Sequence, residues 1–220
     1  MKKTVVCLIG IDGSGKTSHV LKLIDALRAV GILSQFEYMR GSGLRFFARP
    51  FYGLARITGH ELTMNAAEAP RDERSLSRLA PVKRLWPISA MADATLLILV
   101  RRLFAESSVI VSDRNIYDAL VDLMVSTGDQ DIARRFSARF FLKVTKPDLA
   151  VLLDVDEPEA LRRKAEFPLI YLRSRRAAYR SLAGHLQIPI VDSRASFEKV
   201  HSEILSMALK TIESEAATKG

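Results

Sequence analysis

Residues 4–17, T-V-V-C-L-I-G-I-D-G-S-G-K-T, decide the fold of this chain. The first part, residues 5–9, is an apolar run that predicts a buried strand. The part that follows matches the pattern G-x-x-x-x-G-K-[ST], in which a glycine-rich turn leads from a strand into a helix. The fixed positions of the pattern are occupied by Gly10, Gly15, Lys16 and Thr17. The stretch therefore predicts a phosphate-binding loop.

A helix is predicted directly after the turn. Apolar residues recur at helical spacing over residues 20–30, and Gly31 is a typical stop signal. Backbone N–H groups of such a turn wrap round phosphate oxygens, and the positive end of the helix dipole faces them. We therefore expect Lys16 to contact the β- and γ-phosphates of ATP and Thr17 to hold Mg²⁺. The predicted ATP-binding residues of this region are Gly10, Ile11, Asp12, Gly13, Ser14, Gly15, Lys16, Thr17 and Ser18.

Length and composition limit the class of protein. The chain has 220 residues, of which 48% are hydrophobic and 26% charged, and this predicts a single globular domain over residues 1–220. The single Cys7 excludes an internal disulfide and favours a reducing, cytoplasmic compartment. Apolar runs are far shorter than the roughly 20 residues that cross a bilayer, so we expect no membrane partner. The net charge of +8 is scattered without a zinc-finger or RNA-binding pattern, which disfavours nucleic acid as the main partner.

Two further strands are predicted to end in candidate ligand-binding residues. The second strand, residues 34–39, is followed by Arg40, which we expect to bind a second phosphate, with a surface arginine as the alternative. The third strand, residues 108–112, is followed by Asp113 and Arg114. A carboxylate there can position a magnesium water or a hydroxyl nucleophile, and a guanidinium suits bidentate contact with phosphate.

The rest of the chain predicts two more strands and a series of helices. An excursion over about 41–87 has the least regular pattern, and we expect short helices in it because structureless loops of this length are rare in compact domains. The tail from Glu213 is predicted to fray. The predicted strands are 149–153 and 187–191, and the predicted helices are 88–106, 117–126, 132–144, one from near Glu159 and a last one capped by Ser196 with Phe197 inward.

Two basic stretches on either side of Pro168 predict a lid over about residues 157–180. Basic side chains on a hinged pair of helices can close over phosphates and exclude water. A solvated helix face is the alternative. The stretches contain Arg162, Arg163, Lys164, Arg173, Arg175, Arg176 and Arg180.

The order of these motifs resembles that of the thymidylate kinase family of nucleoside monophosphate kinases. G-I-D-G-S-G-K-T is similar to the family's G-x-D-G-x-G-K-T, and V-I-V-S-D-R to its strand with Asp-Arg. P-D-L-A-V-L-L-D-V-D-E-P-E-A-L-R-R resembles its fourth strand and lid entry, and I-V-D-S-R-A-S-F-E-K-V its last strand and helix. The resemblance implies an α/β fold of the P-loop NTPase type, with three α/β/α layers and five parallel strands in the order 2-3-1-4-5.

The resemblance also implies roles for single residues. ATP is expected between the phosphate loop, the lid and the loop at Asp192 to Ala195. Because the phosphate loop has no arginine, the family likeness implies a catalytic arginine from the lid. The candidate catalytic residues are Lys16, Arg114, Arg162 and Arg173, with Arg162 also expected to bind ATP. The candidate acceptor residues are Asp12, Arg40, Asp93, Arg114 and Tyr117, and the candidate metal ligands are Thr17 and Asp113.

The sequence therefore predicts an ATP- and Mg²⁺-dependent kinase whose partner is a small nucleotide acceptor, with dTMP first. The acceptor half departs from the family pattern, for example at Ala92-Asp93-Ala94, where the family has Ala-Asp-Arg. One alternative is a kinase of another small acceptor, namely a nucleoside, a sugar or a modified nucleotide. A second alternative is a nucleotide-binding interaction module. The resemblance also suggests a homodimer.

Overall fold

Five strands form one sheet in which every neighbouring pair is parallel. The computed structural model describes residues 3–38, 46–58 and 80–218. The strand order is β2-β3-β1-β4-β5, which confirms the predicted order. Because both faces of a parallel sheet are covered, β1 and β3 are buried along their whole length, as the apolar runs indicate. The strands are β1 (Thr4–Ile9), β2 (Ser34–Tyr38), β3 (Val109–Asp113), β4 (Leu149–Asp154) and β5 (Ile190–Asp192).

The described residues contain eight α-helices and one short 3-10 helix, Ile132–Arg134. None of the helices in the described ranges is long and apolar enough to cross a membrane. The α-helices are α1 (Lys16–Ala29), α2 (Arg49–Thr58), α3 (Ala80–Phe104), α4 (Ile116–Thr127), α5 (Phe136–Thr145), α6 (Glu157–Arg163), α7 (Leu169–Leu186) and α8 (Phe197–Ala217).

The chain divides into two compact units. The described residues of unit 1 lie within Met1–Met39, Arg102–Asn115 and Pro147–Gly220, and they include the whole sheet with α1, α6, α7 and α8. Those of unit 2 lie within Arg40–Arg101 and Ile116–Lys146, and they include α2, most of α3, α4 and α5.

The core of unit 1 lies between the sheet and the helices α1 and α8. Leu23 and Leu27 of α1 and Ile204 of α8 are completely buried in it against strand residues such as Val6 and Val111. Complete burial of an aliphatic side chain of this size contributes about 1.5–3 kcal/mol. This packing holds α1, and with it the turn before α1, in a fixed position on the sheet.

The start of α3 was predicted wrongly. The helix begins at residue 80 rather than 88 and runs through Pro87. Proline lacks the N–H that bonds to the carbonyl four residues earlier, so it usually marks a helix boundary. The neighbouring Trp86 is completely buried, and its carbonyl accepts the Ser89 hydroxyl at 2.8 Å. Tertiary packing of this turn therefore overrides the local preference of the proline.

The predicted helix over 132–144 is also wrong in its first part. Its first turn is the 3-10 helix, which ends at Arg134, and Arg135 separates it from α5. Arg135 has an extended backbone, with φ −67° and ψ 148°, and its guanidinium pairs with Asp129. An extended residue cannot continue an α-helix, so the apolar pattern covers two separate elements.

Smaller corrections concern the carboxyl-terminal part of unit 1. The fifth strand begins at Ile190, because Gln187 adopts a left-handed conformation, with φ 54°, that ends α7. α6 begins at Glu157, one residue after Asp156, whose carboxylate caps the helix by accepting the Glu159 N–H at 2.9 Å. Ser196 caps α8 as predicted. The helix continues to Ala217 instead of fraying from 213, and Phe197 is 40% exposed rather than inward.

Candidate active site

The turn between β1 and α1 has the geometry of a phosphate-binding loop. Gly10, Gly13 and Gly15 all have positive φ, at 147°, 86° and 88°. A Cβ on Gly13 would lie 2.3 Å from the carbonyl oxygen of Ala160, so only glycine fits there. Gly15 is the N-cap of α1 and has no side chain with which to cap it. No side chain therefore caps the start of α1, where the positive end of the helix dipole favours an anion.

Lys16 folds back over this turn. Its side chain is buried, and Nζ donates to the carbonyls of Gly10 and Ile11, both at 2.8 Å. Both carbonyls belong to the turn, so the ammonium group of Lys16 lies against the turn itself. Ser18, on the first turn of α1, is exposed.

The side chains of Thr17 and Asp113 bring oxygen atoms together beside the loop. β1 and β3 are neighbours, with Leu8 opposite Asp113, and the Thr17 hydroxyl donates to Asp113 Oδ2. Asp113 is 2% exposed, and within the described ranges its Oδ1 is buried without a hydrogen-bond partner. A buried carboxylate oxygen without a partner is costly, which makes it a ready ligand for a cation.

These two residues fit Mg²⁺. Mg²⁺ prefers oxygen ligands and in kinases is bound by one or two side chains together with substrate phosphates, the remaining positions being taken by water. In the part of the chain that the structure describes, no group of three or more His, Cys, Asp or Glu residues could hold a metal ion. Thr17 and Asp113 thus suit a metal ion that arrives with a phosphate rather than one in an all-protein cage.

Arg114 and Asp12, a residue of the loop, form an ion pair. Nη2 of Arg114 lies 3.0 Å from Oδ1 of Asp12. Arg114 has φ 81°, an unfavourable conformation for a residue with a Cβ, and such strain is concentrated at functional sites. The strained backbone directs this guanidinium to the loop immediately after β3.

The charge state of Asp12 reflects several cations. Burial alone would raise the pKa of Asp12, but the charges of Lys16 and Arg114 outweigh it and keep that pKa below its ordinary value. Arg175 and Lys164 act in the same direction from α7 and the segment before it. Asp12 is therefore an ionised, largely buried carboxylate among positive charges, and this collection of cations favours binding of anions.

Arg175 is held inside unit 1 by two tyrosines of its own helix. Its guanidinium donates to the Tyr171 hydroxyl at 2.7 Å and to the Tyr179 hydroxyl at 2.9 Å, and it lies over both rings. Spacing of four residues brings these side chains to one face of α7. Sequence reasoning placed Arg175 in the basic cluster, and the tyrosines at i−4 and i+4 were the signal that it is buried.

The two predicted catalytic arginines of the lid lie at the surface of unit 1. Arg162 on α6 is 75% exposed in its side chain and pairs with Glu159 at 2.7 Å. Arg173 on α7 is exposed. Both assignments stay predictions.

Sequence reasoning missed the role of Asp154. This carboxylate, at the end of β4, accepts from Arg176 at 2.8 and 2.9 Å and from Arg180 at 2.7 Å. Burial would raise the pKa of Asp154, and the hydrogen bond from Arg176 outweighs it and lowers that pKa. The structure therefore fixes these two arginines of the predicted lid to the sheet. The sequence did contain a signal for Asp154, because it is an aspartate at the end of a predicted strand, as Asp113 is.

The loop after β5 begins with two polar residues that behave differently. Asp192, a predicted ATP ligand, is exposed and pairs with Arg194 at 2.7 Å, and hydrogen bonds from Arg194 hold the pKa of Asp192 well below its usual range. Ser193, which the sequence did not single out, is buried and donates to the carbonyl of Ser14 at 2.6 Å. The loop is thereby attached to the phosphate loop.

The predicted acceptor residues divide between the two units. Asp12 and Arg114 belong to unit 1, and Asp93 and Tyr117 belong to unit 2. Arg40 and residues 41–45 and 59–79 of the excursion lie outside the described residues. Within unit 2, the Asp93 carboxylate accepts two backbone N–H groups from the turn before α2, at 2.9 Å each, and is buried. Tyr117 is buried in α4. Their predicted roles in acceptor binding stay predictions.

His19 is a buried, neutral side chain one turn after Lys16. Its ring stacks on Phe197, with centroids 4.2 Å apart, and in the described ranges its Nδ1 is buried without a hydrogen-bond partner. Burial, together with the charges of His201 and Arg163, lowers the pKa of His19 from 6.5 to about 4. The folded chain therefore resists protonation of this ring.

We expect acid to destabilise the chain through His19. Because the pKa of His19 is lower in the folded than in the unfolded chain, the unfolded chain binds the proton more readily, and stability falls as pH falls from 6.5 towards 4. The expected loss between pH 7 and pH 5 is about 2 kcal/mol of unfolding free energy. Urea unfolding at both pH values measures it. His19→Phe should remove this part of the loss. Equal pH dependence in the wild-type chain and in His19→Phe would contradict the assignment.

Comparison with known proteins found two similar chains. A probable thymidylate kinase of Methanococcus vannielii is 29% identical over 156 residues, which cover 70% of this chain and 62% of that protein. A probable thymidylate kinase of Methanosphaera stadtmanae is 24% identical over 159 residues, covering 72% of this chain and 70% of that protein. The chain is thus similar, at low identity, to two proteins named as probable thymidylate kinases. No family model matches it. Its parallel sheet with the order 2-3-1-4-5 and helices around it is an α/β fold of the P-loop kinase type.

Proposed function

We propose that the chain is a kinase that transfers the γ-phosphoryl group of ATP to the phosphate of a nucleoside monophosphate, with dTMP as the first acceptor. The observation that carries the proposal is the arrangement of Lys16, Thr17 and Asp113 round an uncapped helix start. The names of the two relatives support the same class of reaction.

The donor half of the reaction uses the loop and Lys16. Backbone N–H groups at the start of α1 bind phosphate oxygens, and Lys16 exchanges the carbonyls of Gly10 and Ile11 for oxygens of the β- and γ-phosphates. Thr17 and Asp113 would hold Mg²⁺, which when bound would further neutralise charge on the transferred group. Lys16 thus stabilises charge that grows as the γ-phosphoryl group leaves ADP.

The acceptor half uses Arg114. Its guanidinium pairs with Asp12, and the fork of a guanidinium also suits a phosphate, so an acceptor phosphate competes with Asp12 for it. An oxygen of the acceptor phosphate then attacks the γ-phosphorus, the bond from that phosphorus to the bridging oxygen breaks, and ADP leaves. A phosphate oxygen is already ionised, so the reaction requires orientation and charge neutralisation rather than a strong general base.

The test is a coupled assay of ADP release with a panel of acceptors. We expect nucleoside monophosphates to accelerate ADP release, dTMP most, with turnover numbers of about 1–100 s⁻¹. Nucleosides, sugars and no acceptor serve as comparisons. Acceleration only by a nucleoside or a sugar would assign the same donor half to another acceptor, and no acceleration by any compound would favour an interaction module.

A further inference from the structure

Ser193 connects the loop after β5 with the phosphate loop. Its hydroxyl donates to the backbone carbonyl of Ser14 at 2.6 Å, and the residue is 4% exposed. Its own N–H donates to the carbonyl of Asp154, at the end of β4, at 2.8 Å. Ser193 is therefore hydrogen-bonded to the sheet through its backbone and to the phosphate loop through its side chain.

The carbonyl that Ser193 binds belongs to the same peptide unit as the N–H of Gly15. A trans peptide is planar, and its C=O and N–H point in opposite directions. A hydrogen bond that fixes the carbonyl of Ser14 therefore also fixes the direction of the Gly15 N–H. This N–H lies at the start of α1, among the amides with which a phosphate loop binds phosphate oxygens.

The peptide unit needs such a hydrogen bond because Gly15 does not restrict it. Gly15 has φ 88° and ψ 9°, and glycine populates positive and negative φ almost equally. Rotation of the 14–15 peptide would turn its N–H away from a bound phosphate. A fixed acceptor bond at Ser14 removes this freedom before the ligand arrives, which lowers the entropic cost of binding.

Arg163 determines which way the Ser193 hydroxyl points. Its Nη1 donates to Ser193 Oγ at 3.3 Å and its Nη2 to the Ser193 carbonyl at 2.9 Å, while its Nε donates to Glu159 at 2.8 Å. A hydroxyl has one proton to donate and can accept at the same oxygen. Because Arg163 occupies an acceptor position of Oγ, the proton of the hydroxyl is left for the carbonyl of Ser14.

We propose that Ser193 is a positioning residue of the triphosphate site that orients the Gly15 amide, and that Arg163 directs the Ser193 hydroxyl. The inference rests on one part of the proposed function, namely that the phosphates of a nucleotide bind in this loop. It does not depend on which acceptor receives the phosphoryl group.

The test is the affinity of the full-length chain for tripolyphosphate and for a non-hydrolysable ATP analogue, measured by calorimetry. Ser193→Ala is expected to weaken binding of both probes roughly tenfold, the loss of about one hydrogen bond or 1.4 kcal/mol. Ser193→Thr keeps the hydroxyl and should restore the affinity to within about threefold. With dTMP as acceptor, KM for ATP should rise more than KM for dTMP.

The matched control is Ser108→Ala. The Ser108 hydroxyl also donates to a distant backbone carbonyl, that of Leu33 at 3.0 Å, but at the amino end of β3 rather than at the phosphate loop. This variant should bind both probes as the wild-type chain does. Arg163→Met keeps the serine and should weaken binding about threefold, so the inference can be contradicted even where Ser193→Ala folds poorly.

The outcomes separate this inference from the proposed function. Wild-type affinity in Ser193→Ala, or a loss that threonine does not restore at an unchanged melting temperature, overturns the inference. A wild-type chain that binds tripolyphosphate yet phosphorylates no nucleotide overturns the proposed function, and a tenfold loss in Ser193→Ala then still supports the inference. A wild-type chain that binds neither probe overturns both.

Discussion

Lys16→Met is expected to lower kcat for ADP formation by about 10³-fold or more while leaving the fold intact. The ammonium group lies over the phosphate loop on the Gly10 and Ile11 carbonyls, and methionine has a similar length but no donor and no charge. Removal of one donor from a site of developing negative charge typically costs 10²–10³ in kcat, and Lys16 supplies a full charge as well. Steady-state kinetics with saturating ATP measure the effect.

The control for this variant is Lys22→Met. Lys22 lies on the same helix but is exposed, so the same change of side chain should leave kcat within about twofold of the wild-type value. The melting temperature of both variants shows that the chain still folds. Turnover by Lys16→Met close to the wild-type rate would refute the donor-site assignment.

Asp113→Asn is expected to lower kcat roughly 10²-fold and to raise the Mg²⁺ concentration needed for half-maximal activity. Asparagine keeps the shape and can still accept the Thr17 hydroxyl, but it removes the charge from an oxygen that is buried without a partner. Because Asp113→Asn removes a buried charge, the free energy of unfolding of this variant should stay constant or rise by about 1 kcal/mol.

The measurement is a magnesium titration of kcat, together with urea unfolding in the absence of nucleotide. Asp131→Asn, at an exposed position paired with Arg134, is the comparison, and it should change neither quantity. A normal magnesium requirement in Asp113→Asn would rule out Asp113 as a metal ligand. A loss of activity that follows a loss of stability would instead make it a structural residue.

The strand, turn and helix round the phosphate loop could be predicted because their determinants are local. The strand, turn and helix around Gly10 and Lys16 follow from a short run of residues whose backbone requirements are read directly from glycine positions. Asp113 was found because it ends an apolar run that had to be a buried strand. The sheet order came from the family resemblance, since local patterns do not determine which strands pair.

Other features could not be predicted because distant residues determine them. The continuation of α3 through Pro87 depends on the burial of Trp86, and the attachment of Arg176 to Asp154 joins residues 22 positions apart. The left-handed backbone of Arg114 has no sequence signal, since glycine is the residue that usually marks that conformation. The hydrogen bond from Ser193 to Ser14 joins opposite ends of the chain.

The attachment of α7 to β4 limits how the basic segment can move. Displacement of α7 from the sheet would break the three hydrogen bonds from Arg176 and Arg180 to Asp154, each of them between two ionised groups. Residues 164–168, which connect α6 to α7, take part in none of these three hydrogen bonds. Amide hydrogen exchange should therefore be faster in this linker of five residues than in the middle of α7.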